Sequence, residues 1–310
     1  MNAPEDAGAT QVMAGRGTVG GGVSVRPNAV RQFVRHTVYV LRGNPVTLLA
    51  FGLFLLILLC AILGPSLVPY DPLASEAGEA LKPPSLAHWF GTDNVGRDVF
   101  SRVVVAARLD LLISVSAVAL SFAAGSAVGA VAGYYGGWFD RISGRLIDTI
   151  MAFPLFVLAM GIVAAAGNTV ENVVYATAII NLPFYARVAR AEVNVRREAG
   201  FVQAARLSGN SSLRTLAVHV FPNALPPMMI QISLNLGWAV LNAAGLSFIG
   251  LGVRPPAAEW GIMVAEGANF IVAGQWWMAL FPGAALMLAV FTFNLLGDGL
   301  RDIVDPQRRT

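Results

Sequence analysis

Apolar side chains in this chain gather in blocks of about twenty, separated by stretches rich in charge, Pro or Gly. A helix rises 1.5 Å per residue and a bilayer core is about 30 Å thick, so such a block has the length a membrane-crossing helix needs. Six spans are predicted: 46–68, 111–131, 149–166, 173–185, 225–251 and 277–296. The first is the clearest, carrying no charge and closing at Pro69-Tyr70-Asp71-Pro72. Pro154 interrupts the third and Pro183 falls near the end of the fourth, which membrane helices tolerate. The pattern predicts an all-α membrane protein of six transmembrane helices, not a barrel.

The segments between the spans are too polar to be embedded. Residues 71–108 form an extramembrane loop with room for one short helix. The turn Gly133 to Asp140 places Tyr134, Tyr135, Trp138 and Phe139 where interfacial aromatics sit. Residues 187–223 are the longest basic stretch, and 252–276 form a second loop, with Pro255-Pro256 and Trp260. The predicted organisation is a disordered tail at 1–30, a transmembrane domain at 31–306 and a terminal stub at 307–310. Asp110, Asp148, Glu171 and Asp298 fall at span ends, where interfacial solvation is expected.

Composition agrees: 56% of the 310 residues are hydrophobic and 13% charged, about half the charged share of a soluble chain. Lys82 is the only lysine, so a phosphate loop ending in Gly-Lys-Ser/Thr is excluded and the chain is not itself a P-loop ATPase. Cys60 is the only cysteine, and His36, His88 and His219 are scattered, so no disulfide or metal-ligand spacing is present. No hydrolase motif occurs, and no catalytic residue, cofactor or nucleic-acid partner is predicted. Sixteen of the 21 basic residues fall on one side if the N-terminus is placed inside, against Lys82, Arg97, Arg102, Arg108 and Arg254 outside. Positively charged segments stay cytoplasmic, so both termini are expected in the cytoplasm.

Within Glu198 to Asn223, Phe201, Val202, Ala205 and Leu213 can line one side of a short helix broken near Gly209-Asn210. Periodicity leaves open whether this is a surface helix among lipid headgroups or a docking element. Gln203-Ala204-Ala205, then Gly209, then Val220-Phe221-Pro222 resembles the cytoplasmic EAA loop of binding-protein-dependent ABC importer permeases. The likeness continues through Phe90 to Asp98 with Ser101-Arg102, the Gly133 to Asp140 turn, Leu246 to Val253 with Pro255-Pro256 and Trp260-Gly261, and Phe293 to Asp302. These are features of the dipeptide, oligopeptide and nickel branch, and of its dipeptide permease C-type subunits.

The resemblance implies a type I importer permease in a bacterial inner membrane. Its partners would be a second homologous permease, two ATPase subunits that bind ATP and Mg, and an extracytoplasmic solute-binding protein. Phe201, Val202, Gln203, Ala204, Ala205, Gly209 and Pro222 would dock on the ATPase. Gln203 and Asn242 stand where many relatives carry Glu, which removes a charge at each position. Arg97, Asp98, Arg102 and Trp260 are candidates for contact with the binding protein, the alternative being that they cap helices within the loop. Gln231, Asn235, Asn242 and Asn294 are the pathway candidates, since polar side chains within spans face protein or water. Interhelical hydrogen bonding is the alternative for each. Peptide-like cargo is expected, with nickel or opine-like solutes as alternatives. A secondary transporter would need ionisable groups inside the spans, which the predicted spans lack, and a membrane scaffold would not need a docking loop.

Overall fold

The computed structural model describes residues 44–304; the predicted 1–30 tail and 307–310 stub lie outside them. Helix α1 (Pro45–Leu67) starts where the Asn44 side chain accepts the N–H groups of Val46 and Thr47, at 3.0 and 3.4 Å. Leu48, Leu55, Leu56 and Ile62 on it are exposed, while Ala50, Ile57 and Ala61 are buried. An apolar helix with bare leucines over its length is solvated by lipid, not water.

Helix α2 (Val99–Tyr135) is 37 residues long, about 55 Å, and so outruns the bilayer core. Its predicted start at 111 is corrected by twelve residues, because Asp98 caps it and Arg102 and Asp110 are sheltered by protein. In place of one third span there is a pair, α3 (Gly137–Ala152) and α4 (Leu155–Ala166), bent by 91°. Pro154 lies at the break, where it offers no N–H to continue the helix. Helix α5 (Val170–Arg196) runs through Pro183 and beyond the predicted end at 185. Its arginines are held by α3: Arg187 donates to Asp148 at 2.8 Å and Arg190 pairs with Asp140. A short helix, α6 (Gly200–Leu207), follows. Helix α7 (Ser212–Phe248) begins thirteen residues before the predicted fifth span and includes a π-helical turn at Thr215–Val220. The second loop holds α8 (Trp260–Ala268), and α9 (Trp277–Val304) closes the described chain.

Among the described residues four helices, α1, α2, α7 and α9, are long and apolar enough to cross a membrane, or five if the bent pair α3–α4 is one span. The predicted fourth span lies in α5, which is not among them. Glu171 at one end and Arg187, Arg190, Glu192 and Arg196 at the other leave it only a short apolar middle. α5 packs against α2, α4 and α7 along one side and leaves Tyr175 and Ile179 exposed on another.

The α2–α5 contact is the most extensive between any two helices described. Gly125, Gly129 and Gly133 form a stripe at helical spacing, and a Cβ on each would lie 2.6, 2.1 and 2.5 Å from the carbonyl oxygens of Leu182, Ala186 and Arg190. Backbones this close require glycine, the small-residue packing favoured between membrane helices.

Candidate functional site

Three regions carry the polar side chains singled out in the sequence. The first is a cavity of about 280 Å³ among α4, α5, α7 and α9. Gln231, Asn235, Asn242 and Asn294 all line it, together with Asn181, Phe156, Phe184 and Trp238. On α7, positions 231, 235, 238 and 242 recur every three or four residues, which puts them on one face. Gln231 donates to Asn235 Oδ1 at 3.0 Å. Asn242 and Asn294 donate back to the carbonyls of Trp238 and Val290, at 2.8 and 2.9 Å. Asn235 is 2% exposed and its Nδ2 has no acceptor among the described residues. Among the described residues no charged side chain lines the cavity.

The second region is α6. Val202 and Ala205 are buried, and Val202 belongs to an apolar cluster with Tyr134, Val193, Leu216 and Met228. Phe201, Gln203, Ala204, Gly209 and Pro222 are exposed. The seven predicted docking residues therefore divide into two that attach the helix to its own chain and five at the surface. Leu207, 90% exposed, adds further apolar surface to the same helix. Arg206 reaches Tyr134, donating to its hydroxyl at 3.3 Å and lying over its ring. The helix stops at Gly209, whose φ of +82° is costly for any other residue. Ser211 then caps α7, its hydroxyl accepting the N–H of Arg214. The expected helix, break and second helix are present.

The third region is a clasp between the 71–98 segment, α2 and α8. Arg97, Asp98, Arg102 and Trp260 are all buried, between 1% and 5% exposed. As surface for a partner they are corrected: each closes a contact within the chain. Arg97 pairs with Asp93 and, at 3.3 Å, with Glu266. Arg102 donates to the carbonyls of Pro72 and Pro256, at 3.1 and 3.3 Å, and lies 3.7 Å from Glu266. Asp98 caps α2 through Ser101 and holds His88 Nδ1 at 2.9 Å. The Trp260 indole donates to the Val103 carbonyl at 2.9 Å. A buried guanidinium persists only when matched by this many acceptors and opposite charges.

The sequence profile of binding-protein-dependent transport system inner membrane components matches residues 125–310, and that of the N-terminal transmembrane domain of oligopeptide transport permease C matches residues 29–84. The chain belongs to this family of inner membrane transport components. It is 44% identical to the probable D,D-dipeptide transport system permease protein of Escherichia coli (strain K12) over 285 residues, 92% of this chain and 95% of that one. It is 39% identical to the dipeptide transport system permease protein of Alkalihalophilus pseudofirmus, over 87% of this chain and 88% of the other. Identity is also 39% to the glutathione transport system permease protein of Escherichia coli O1:K1 / APEC, over 91% and 93%.

The chain is thus a multi-pass permease subunit of an ABC importer, working with ATPase and binding-protein partners. Asn181, which lies inside the predicted 173–185 span, was not among the pathway candidates, yet it lines the cavity with the other four carboxamides. The sequence reading also placed Asp110 in solvated surroundings, a reading that is corrected here: Asp110 is 1% exposed, under the start of α8. Glu259, fully buried beside it, was not singled out. Its position just before Trp260 was the available signal, since an acidic residue ahead of an apolar helix is a capping pattern. Burial pushes the Glu259 carboxyl up, while hydrogen bonds from Ile262, Gly261, Asp110 and Ser247 pull it back.

Proposed function

We propose that this permease supplies half of a pathway through which dipeptides or oligopeptides, delivered by an extracytoplasmic binding protein, enter the cell. The cavity is the observation that supports this best. Five carboxamides offer the same donor and acceptor pair as a peptide group, and Phe156, Phe184 and Trp238 give apolar walls that accept varied side chains. Its volume lies at the lower edge of the ~300–1,000 Å³ of enclosed small-molecule sites, as suits a half-site closed by a second homologous permease. The solutes in the relatives' names, dipeptides, D,D-dipeptides and glutathione, share the amide bond.

Two ATPase subunits holding ATP and Mg would seat on the exposed face of α6, with Phe201, Gln203, Ala204 and Leu207 as contacts and Gly209 and Pro222 at its border. Both termini and α6 are then cytoplasmic. Because Arg97, Asp98, Arg102 and Trp260 are interior, the binding protein would meet the outer faces of the same loops, where Leu86 and Val272 are each 98% exposed.

ATP-driven uptake in proteoliposomes containing both permeases, the ATPases and the binding protein tests this reading. Asn235→Leu should lower peptide uptake about tenfold, the equivalent of one buried polar interaction of ~1–3 kcal/mol, with ATPase assembly intact. Joint Phe201→Glu and Leu207→Glu should release the ATPases while the permease stays folded. Undiminished uptake by Asn235→Leu would remove the cavity from the pathway. Uptake of nickel and not of peptide by the wild type would overturn the peptide assignment.

A further inference from the structure

Two carboxyl groups take the first three N–H groups of α8. The Trp260 N–H donates to Asp110 Oδ2 at 3.1 Å, and those of Gly261 and Ile262 donate to Glu259 Oε1 and Oε2 at 2.9 and 2.8 Å. The positive end of a helix favours negative charge there, but two full charges exceed what it offsets. Asp110 and Glu259 are 1% and 0% exposed and within hydrogen-bonding reach of each other, with Ser247 of α7 also bonded to Glu259. Asp110 Oδ1 is buried and has no donor among the described residues.

No cation neutralises the pair among the described residues. On α2, Arg102 is committed to Asp93 and Glu266, and Arg108 is exposed. On α8, Glu266 serves Arg97 and Arg102. In the 252–259 segment Arg254 is exposed. α7 contributes only the Ser247 hydroxyl here. Adjacent carboxylates in a dry interior do not both ionise.

We propose that Asp110 and Glu259 form a proton-binding site that joins α8 to α2, with one proton carried on Asp110 Oδ1 and donated to Glu259. The hydrogen bonds decide which acid holds it. Glu259 accepts an N–H of the helix end with each oxygen, so a proton on either would weaken one of those bonds. Asp110 accepts with Oδ2 alone, so its orphaned Oδ1 is the free position for an O–H. With that proton in place, one negative charge faces the helix end and no oxygen of the pair lacks a partner. The proposal does not depend on the transported solute.

The sign of the pH dependence follows. The folded pair keeps a proton that a free aspartic acid releases at about pH 3.9, so the stability this proton gives is complete below that value. It is lost as pH rises toward the elevated folded value, by about tenfold in the folding equilibrium per pH unit. Asparagine reproduces the protonated acid, since its Oδ1 can accept from Trp260 and its Nδ2 can donate to Glu259.

The test compares thermal unfolding of the full chain, purified in detergent, across pH for wild type, Asp110→Asn and Glu259→Gln. The wild-type midpoint should fall relative to that of Asp110→Asn as pH rises. Glu259→Gln, which turns a donor toward an N–H, should unfold earlier at every pH or fail to fold. In infrared spectra at neutral pH the wild type should show a protonated-carboxyl C=O band absent from Asp110→Asn. Absence of that band from the wild type, a constant midpoint difference between wild type and Asp110→Asn, or failure of Asp110→Asn to fold would each overturn the proposal.

Discussion

Arg102 is 1% exposed, yet it carries a charge that never leaves it under cellular conditions. Asp93, Glu266 and three backbone carbonyls surround it. Replacing it with an apolar residue of similar length leaves those acceptors unmatched, and breaking a buried pair from one side costs about 3–5 kcal/mol. Arg102→Met should therefore lower the thermal midpoint of the purified permease by many degrees. Arg108→Met, six residues along the same helix at an exposed site, should leave it nearly unchanged, within about 0.5 kcal/mol. Equal midpoints would show the clasp to be dispensable. The arginines at 97 and 102 were visible in the sequence as charges in a loop, but a charge is read as exposed unless its partners are known. Here the partners lie up to 169 positions away, at Glu266, and no local pattern carries that information. The amides at 231, 235, 242 and 294 were readable for the opposite reason. Polar side chains inside apolar runs must face protein or water, so their convergence on one cavity follows from where they can go.

At the level of elements, apolar blocks located the helices but not their ends, because ends are decided by caps and by charges sheltered in the fold. α2 starts at the Asp98 cap and α5 continues to Arg196 because Asp140 and Asp148 hold its arginines. The sequence does show what fastens these two helices, since Gly125, Gly129 and Gly133 repeat every fourth residue, a spacing that brings glycines onto one stripe. A methyl group at 129 would stand 2.1 Å from the Ala186 carbonyl oxygen, a backbone atom that cannot turn away. Gly129→Ala should then force α2 and α5 apart, at a cost of about 3 kcal/mol, the upper part of the usual range for overpacking. Gly144→Ala is the control, for nothing lies within 4 Å of the added carbon, and in a helix alanine is favoured over glycine by about 1 kcal/mol. Thermal midpoints of the two variants in detergent give the comparison. If Gly129→Ala melts with Gly144→Ala, the close approach is not what sets the α2–α5 spacing.

Across the whole molecule, the proposed orientation puts α6 on the cytoplasmic side and the 71–98 and α8 clasp on the other, because sixteen of the 21 basic residues then lie inside. The chain offers a clean way to check this, having Cys60 as its only cysteine, half-buried within the apolar α1. In a Cys60→Ser background, single substitutions at three of the most exposed apolar positions would report the side directly: Leu86 and Val272, each 98% exposed, and Leu207, 90% exposed. A membrane-impermeant thiol reagent applied to intact cells should label Leu86→Cys and Val272→Cys, and should label Leu207→Cys only after the membrane is opened. The same experiment repeated with the ATPase subunits present should then protect Leu207→Cys in opened membranes, since this side chain lies on the surface proposed to bind them. Labelling of Leu207→Cys in intact cells, with Leu86→Cys protected, would invert the topology and take α6 away from the ATPases. The arginine distribution would then have to be explained by lipid contacts alone.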